Sequence, residues 1–267
     1  MSGFSSHWLT LREPLDLAAR NPDVEKAFWE GLPSGPVRLL DLASGAGSTV
    51  AALGKRADRP VDWLLTDHDP LLLDAARRRW GDAVSLRQSN LANGLTNLPF
   101  EEVDAITTSA FLDLVSERFL EELVTRIVRA KKPFLASLTY DGRTEFAPPH
   151  PFDDTLSLAL NAHQRTDKGF GPALGPDAAP RAVALFEAEG YHVVQGASDW
   201  RAGPSSQEFQ TEFLQGWANV GREVGLEKDA LEDWWRDRRE KIGDRRLDIT
   251  VGHIDFAALP QHGNERA

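Results

Sequence analysis

The feature that most constrains the fold is an alternation of strand-like and helix-like segments between residues 37 and 140. Helical patterns such as PLLLDAARRRW and SERFLEELVTRIVRA separate short apolar runs. The predicted strands are VRLLDL (37–42), VDWLLT (61–66), AVSLRQS (83–89), VDAITTS (103–109) and PFLASLTY (133–140). Apolar strands that alternate with amphipathic helices predict a parallel sheet covered by helices on both faces, an α/β fold.

The alternation stops on either side of this block. Residues 1–35 predict two short helices, the first interrupted at Pro14, which we interpret as an N-terminal helical cap. Residues 141–180 are rich in proline and glycine and predict an ordered lid inserted after the fifth strand. Helix and strand patterns then resume and end in a final strand (247–259). We therefore expect one domain, with the sheet, its helices and the lid in residues 36–267.

The composition excludes several kinds of site. The 267 residues include no cysteine, so disulfides, thiolate metal ligands and a cysteine nucleophile are excluded. The formal net charge of -11 disfavours a nucleic-acid partner, because it repels phosphate backbones. No apolar run approaches the roughly 20 residues that span a bilayer, and the first residues lack the features of a secretory signal. We expect a cytoplasmic monomer or homodimer without a membrane partner or a metal.

The stretch LLDLASGAGSTVAALG (39–54) has the features of a ligand-binding loop. A strand ends, Gly45 and Gly47 allow a tight turn, and a helix begins. An ordinary turn, a dinucleotide loop and an S-adenosylmethionine loop all share these features. The dinucleotide fingerprint G-x-G-x-x-G requires a third glycine, and Val50 stands in its place.

The residues DLASGAG resemble the first motif of the class I, Rossmann-like, S-adenosylmethionine-dependent methyltransferases. Asp41 supplies the motif's acidic residue, and Ala43 stands where the family more often has glycine. The resemblance implies that the cofactor is S-adenosyl-L-methionine. It also implies a seven-stranded sheet in the order 3-2-1-4-5-7-6, with only strand 7 antiparallel. The cofactor-binding residues implied in this loop are Asp41, Ala43, Ser44, Gly45 and Gly47.

Three later segments extend the resemblance. LLTDHDPLLLDAARRR ends a strand at Asp67, 20 residues beyond Gly47, where the family binds the ribose hydroxyls. The alternative role of Asp67, a helix N-cap, is better suited to Asp69. In SLRQSNLANG the resemblance places the adenine, and in VDAITTSAF it places the transferable methyl. The further cofactor-binding residues that it implies are Asp67, His68, Asn90, Leu91, Ser109 and Ala110.

The methyl acceptor is indicated less directly. Family members that methylate nucleic-acid bases or glutamine often carry Asn/Asp-Pro-Pro-aromatic where this chain has Thr-Ser-Ala-Phe, which favours a small-molecule acceptor. The lid groups basic side chains with glycines just before a helix start near Asp177, which suits a carboxylate or phosphate. A solvated polar turn is the equal alternative. We predict acceptor binding by Tyr140, Arg165 and Lys168, and we take His163 and His150 as candidate bases.

Two questions stay open at this level. Arg12, Asp16 and Arg20 fall on one helical face, either as a surface ion-pair ladder or as a helix that closes over the cofactor. The function also has two alternatives, a nicotinamide-dependent oxidoreductase and a non-catalytic module that binds S-adenosylmethionine.

Overall fold

The computed structural model describes residues 6–261, and the side chain of Ser6 is outside that description. Residues 1–5 and 262–267 lie outside the described residues. They include the start of the predicted helical cap, the first residues considered for a secretory signal, and the end of the predicted sheet domain. The strands are β1 (Val37–Leu42), β2 (Val61–Asp67), β3 (Val84–Gln88), β4 (Ala105–Ser109), β5 (Phe134–Ala147), β6 (Tyr191–Ala197), β7 (Trp200–Ala202) and β8 (Asp248–Pro260).

Nine helices flank the sheet within the described residues. They are α1 (Ser6–Ala19), α2 (Pro22–Glu30), α3 (Ser48–Leu53), α4 (Pro70–Trp80), α5 (Glu117–Ala130), α6 (Asp153–Gln164), α7 (Ala178–Ala188), α8 (Gln207–Glu223) and α9 (Lys228–Gly243). Among residues 6–261, no helix is both long enough and apolar enough to cross a membrane.

The sheet has the order β3-β2-β1-β4-β5-β8-β6. Strands β1 to β5 are parallel, and β8 runs antiparallel to both β5 and β6. This confirms the predicted order, because β8 takes the place of the seventh strand. The sequence did not predict β7, a strand of three residues that pairs with the first part of β8.

Parallel pairing brings the functional segments to one edge of the sheet. Asp41 in β1 lies opposite Leu65 in β2 and Thr107 in β4, so the carboxyl ends of the three strands are level. In open α/β sheets ligands bind beyond these carboxyl ends. The loops after β1, β2 and β4 therefore form one candidate site.

Two boundaries differ from the prediction. Helix α1 is not interrupted at Pro14 but continues through it to Ala19. Proline removes one backbone hydrogen bond, but packing favours the continuous helix, since the ring of Trp8 stacks on Phe209 of α8 at 5.3 Å. Strand β5 extends to Ala147, so residues 141–147 belong to the sheet and not to the lid. They pair with β8, where Thr144 lies opposite Val251.

A candidate active site at the carboxyl edge of the sheet

The glycine loop is held in a strained, compact conformation. Ala43, Gly45 and Gly47 all have positive φ angles, of 50°, 54° and 81°. The amide of Ser44 donates to the Thr66 carbonyl at 2.9 Å, which ties the loop to β2. A Cβ atom on Gly47 would lie 2.5 Å from Nε1 of Trp80. Gly47 is therefore needed both for its backbone angle and for packing against the end of α4.

Asp67 links the glycine loop to the end of β2. Its Oδ2 accepts from the Gly45 amide at 2.8 Å, and its Oδ1 accepts from the Asp69 amide at 2.9 Å. His68 lies beside it, with Nδ1 3.1 Å from Oδ1. Asp69 instead caps α4, because it accepts from the Leu71 amide at 2.8 Å. The N-cap role is thus filled by Asp69, and the Asp67 carboxylate keeps further lone pairs for a ligand hydroxyl.

Asp41 is a fully buried carboxyl group next to the loop. Its Oδ1 accepts from the Thr107 hydroxyl at 2.7 Å, and its Oδ2 has no partner among the described residues. Burial raises the pKa of Asp41 to about 7, while the hydroxyls of Thr107 and Thr49 and, to a smaller extent, the charge of Arg20 act in the opposite direction. A buried oxygen without a partner is costly, so this atom is suited to a ligand donor.

Arg20 brings a buried positive charge to the same edge. Its Nη2 donates to Oγ of Ser109 at 3.0 Å, while Nε and Nη1 are buried without partners among residues 6–261. Arg12 and Asp16 are buried as well, and Nε of Arg12 lies 3.2 Å from Oδ2 of Asp16. The ion pair between Arg12 and Asp16 is therefore present, but the prediction of a surface ladder is wrong, because all three side chains are buried.

Helix α1 lies over the glycine loop. Cδ1 of Leu9 would be 3.6 Å from a Cβ atom on Gly45. Glu13 on the same helix accepts from Nη2 of Arg79 on α4 at 2.6 Å. The helix thus contacts both the loop after β1 and the helix after β2. It is placed to shield a ligand bound between them from water.

The predicted adenine and methyl segments are at the same edge. Asn90 is exposed, and its Oδ1 accepts from the Ala92 amide at 3.0 Å, which caps a short 3-10 turn at Leu91. The Ala110 amide donates to the Ser137 carbonyl at 2.9 Å, and Ala110 has a φ of 50°. The local capping bond uses one of the two lone pairs on the Asn90 oxygen.

The three residues predicted to bind the methyl acceptor differ in burial and in the partners that they already have. Tyr140 is buried, its hydroxyl donates to Oδ1 of Asn161 at 2.9 Å, and burial raises its pKa to about 12. Arg165 is exposed and pairs with Asp177 at 2.8 Å, so its charge is already partly neutralised. Lys168 is half-buried. The geometry therefore supports an anion-binding role for Lys168 better than for Arg165.

The two candidate bases lie apart in the lid. Nδ1 of His163 is 3.4 Å from Nζ of Lys168, and Nε2 is 3.6 Å from Glu223. Nδ1 of His150 accepts from the Phe152 amide at 3.1 Å, at the start of α6. His150 thus serves the local backbone, whereas His163 lies beside a predicted acceptor residue.

Sequence reasoning missed two titratable groups. His253 on β8 lies opposite Tyr140, and its ring is 4.6 Å from that of Trp200. Its Nδ1 lies 3.0 Å from the Val251 carbonyl, and burial lowers its pKa to about 4. Asp113 follows β4, is 8% exposed, and has its pKa raised by burial to about 6. The only signal for Asp113 was an acidic residue within the apolar run FLDLV.

Comparisons with known proteins identify the fold. No protein-family model and no curated protein sequence matches the chain. Among solved structures, the YcgJ protein of Bacillus subtilis gives a TM-score of 0.52 at 13% identity, covering 91% of this chain and 100% of its own. A candidate methyltransferase of Bacillus halodurans gives 0.52 at 14% identity, with 89% and 98% covered. Together with the strand order, these likenesses show the Rossmann-like fold of class I methyltransferases, as the sequence predicted.

Proposed function

We propose that this chain is an S-adenosyl-L-methionine-dependent methyltransferase that acts on a small molecule. The observation that carries the proposal is the convergence of Asp41, Asp67 and Arg20 around the glycine loop. Ordinary turns do not need a buried carboxyl oxygen and two buried guanidinium nitrogens that lack partners among the described residues. The Asp41 oxygen and the Arg20 nitrogens fit a zwitterionic ligand.

The polar ends of the cofactor match these side chains. In the proposed complex, Asp41 accepts from the methionine ammonium group and Arg20 donates to the methionine carboxylate. Asp67 accepts from the ribose hydroxyls, and Asn90 and the Leu91 amide meet the adenine. Opposite charges in a buried site are attracted strongly, since little water screens them.

The protein's contribution to the reaction is mainly placement. When bound, S-adenosylmethionine supplies a methyl group on a positively charged sulfur. Helix α1 covers the loop and excludes water, and the backbone at Ser109 and Ala110 orients the methyl toward the acceptor. When two reactants are bound close together and in line, much of the translational and rotational entropy is lost on binding, so the barrier to the chemical step is lower.

The acceptor side supports a small molecule with an anionic group. Lys168 is half-buried, and Tyr140 offers a neutral phenol on the adjoining strand. Burial lowers the pKa of Lys168, while the carboxylates of Glu223 and Asp113 act in the opposite direction. A carboxylate or phosphate bound near Lys168 would further favour its charged form. The overall negative charge supports the absence of a nucleic-acid substrate.

Calorimetry with S-adenosylhomocysteine, S-adenosylmethionine and NAD tests the proposal. We expect S-adenosylhomocysteine and S-adenosylmethionine to bind and NAD not to bind. Binding of NAD alone would establish the oxidoreductase alternative. Binding of S-adenosylmethionine without formation of S-adenosylhomocysteine in the presence of any acceptor tried would favour the non-catalytic module. Release of S-adenosylhomocysteine with an acceptor, measured by mass spectrometry, completes the test.

A further inference from the structure

Asp113 is a nearly enclosed carboxyl group beside the predicted methyl position. It lies in a 3-10 turn, Leu112–Leu114, three residues beyond Ala110. Its side chain is more than nine-tenths buried, and Oδ1 has no hydrogen-bond partner among residues 6–261. The flanking Phe111 and Leu112 are buried in the main apolar cluster, so the loop is fixed by packing.

Charged and titratable groups from three elements face Asp113. Arg12 on α1 and Lys168 in the lid stabilise its charged form, and Tyr140 on β5 lies within electrostatic range. Arg12 is paired with Asp16. The turn also contacts α7 and the segment Gly175–Asp177, where Arg181 pairs with Glu117 and Glu121, and Asp177 pairs with Arg165. Asp113 is therefore held near positive charge and forms no ion pair with the residues that the structure describes.

Three histidines, His150, His163 and His253, are less suited than Asp113 to accept a proton from the methyl acceptor. His150 uses Nδ1 for a backbone amide, and His163 lies between Lys168 and Glu223. His253 is buried in an environment that disfavours its charged form, which makes it a weak base. Asp113 differs because its available oxygen is buried beside the segment where the methyl is expected.

We propose that Oδ1 of Asp113 accepts the proton of the methyl acceptor's nucleophilic N–H or O–H group, an inference that rests on the proposed methyl transfer. The acceptor lone pair forms the new bond to the methyl carbon as the C–S bond breaks, and that electron pair remains on sulfur. The proton passes to Asp113 and later to water. With Lys168 nearby, the acceptor class is a hydroxy or amino compound that bears a carboxylate or phosphate.

The first test is kinetic and uses Asp113→Asn with Asp154→Asn, an exposed carboxyl on α6, as the matched control. The probes are 3-hydroxybenzoate, anthranilate, malate and glycine, and the readout is S-adenosylhomocysteine formation. D113N should bind S-adenosylhomocysteine within about twofold of wild type but lose about 100-fold or more in kcat/KM. Wild-type kcat/KM should fall below about pH 6, and that limb should be absent in D113N. Unchanged kcat/KM with the same limb would overturn the proposal.

The second test needs no acceptor. The pKa of Asp113 is raised from 3.8 to about 6 in the folded protein, so stability falls as pH rises across that interval. D113N removes the buried charge, so its Tm should exceed the wild-type Tm at pH 8. At pH 4.5, where the wild-type carboxyl group is mostly protonated, the difference between the two Tm values should be smaller. A lower Tm for D113N at pH 8 would make Asp113 a structural carboxylate and would overturn the inference. If the wild type does not bind S-adenosylhomocysteine, the proposed function itself fails.

Discussion

Two groups of buried charged side chains in this molecule differ in how completely they are bonded. Between α6 and α9, both oxygens of Asp153 accept from Nη2 of Arg238, at 2.7 and 2.6 Å, and Trp234 adds a third bond at 2.8 Å. At the carboxyl edge of the sheet, Asp41 and Asp113 each keep one oxygen without a partner in the described part of the chain, and Arg20 keeps two such nitrogens. In the first group both carboxylate oxygens are bonded and only Nε of Arg238 is buried without a partner among the described residues, whereas each of the three side chains of the second group keeps at least one such atom. We call the first group closed and the second open.

The difference distinguishes buried charged side chains that stabilise the fold from those that are available to a ligand. Burying a charge costs several kcal/mol unless its partners replace the lost water. The Asp153–Arg238 pair recovers much of that cost within the protein and joins the lid helix to α9. In the open group part of this desolvation cost is not compensated within the protein. A bound ligand that bonds to the unpartnered atoms would offset it. Substitutions in the two groups should therefore act on different quantities.

The largest effect is expected in the closed group. Replacing Arg238 by alanine leaves the Asp153 charge buried without its main partner, and we expect a loss of about 3–5 kcal/mol in the free energy of unfolding. Urea denaturation measures it. Arg236→Ala, which removes an exposed arginine on the same helix, should change stability by less than about 0.5 kcal/mol. A loss below about 1 kcal/mol for R238A would break the comparison.

At the same edge of the sheet as the open group, Asp67→Ala should act on affinity. We expect weaker binding of S-adenosylhomocysteine by about 1–3 kcal/mol, roughly 5- to 150-fold, because ligand hydroxyls lose their acceptor. Calorimetry measures this change, with the fold checked by circular dichroism. Asp69→Ala is the matched control, since it removes the N-cap of α4 at a cost of about 1 kcal/mol in stability but leaves affinity unchanged. Unaltered affinity in D67A with an intact fold would contradict the ribose assignment.

Asp41 predicts a pH dependence of the same affinity. Its pKa of about 7 in the free protein means that it is ionised above pH 7 and protonated below it. A bound ammonium group favours the ionised form, so affinity for S-adenosylhomocysteine should fall by up to tenfold for each pH unit below about 7. Calorimetry from pH 5.5 to 8.5 measures the slope. Asp41→Asn should flatten it, and an equal slope in that variant would assign the titration elsewhere.

The sequence predicted the sheet and the edge that carries the site, because both depend on local patterns. Apolar runs separated by helical periods determine the parallel order, and acidic residues at strand ends are visible by spacing. Asp69 as the cap of α4 followed from the proline after it. The roles of Asp67 and Asn90 in binding stay predictions.

The rest depends on contacts between distant segments. Arg12, Asp16 and Arg20 could be surface or buried by spacing alone, and packing of α1 against α8 and the glycine loop decides it. His253 and Tyr140 are 113 positions apart and meet only through the antiparallel register of β5 and β8. The extension of β5 into the predicted lid likewise needs β8 as its partner. No window of sequence contains both members of these pairs.

The smallest effect is expected in the lid, where charges are only partly buried. Replacing Arg165 and Lys168 together by alanine should raise the KM of an anionic acceptor about two- to fivefold, the range for partly exposed charge pairs, without changing affinity for S-adenosylhomocysteine. Steady-state kinetics with the best of the carboxylate probes measures it. Lys168→Ala alone should account for the rise, because Arg165 is already paired with Asp177.

The single variants also sharpen the comparison between closed and open groups. If Arg165→Ala alone raises KM, its pair with Asp177 must open when the acceptor binds, and a closed pair at the surface would then act as part of the site. If neither variant changes KM, the acceptor has no anionic group near the lid. The proposed cofactor site would be unaffected by that result, because it depends on the loops after β1, β2 and β4 and on Arg20 of the segment between α1 and α2.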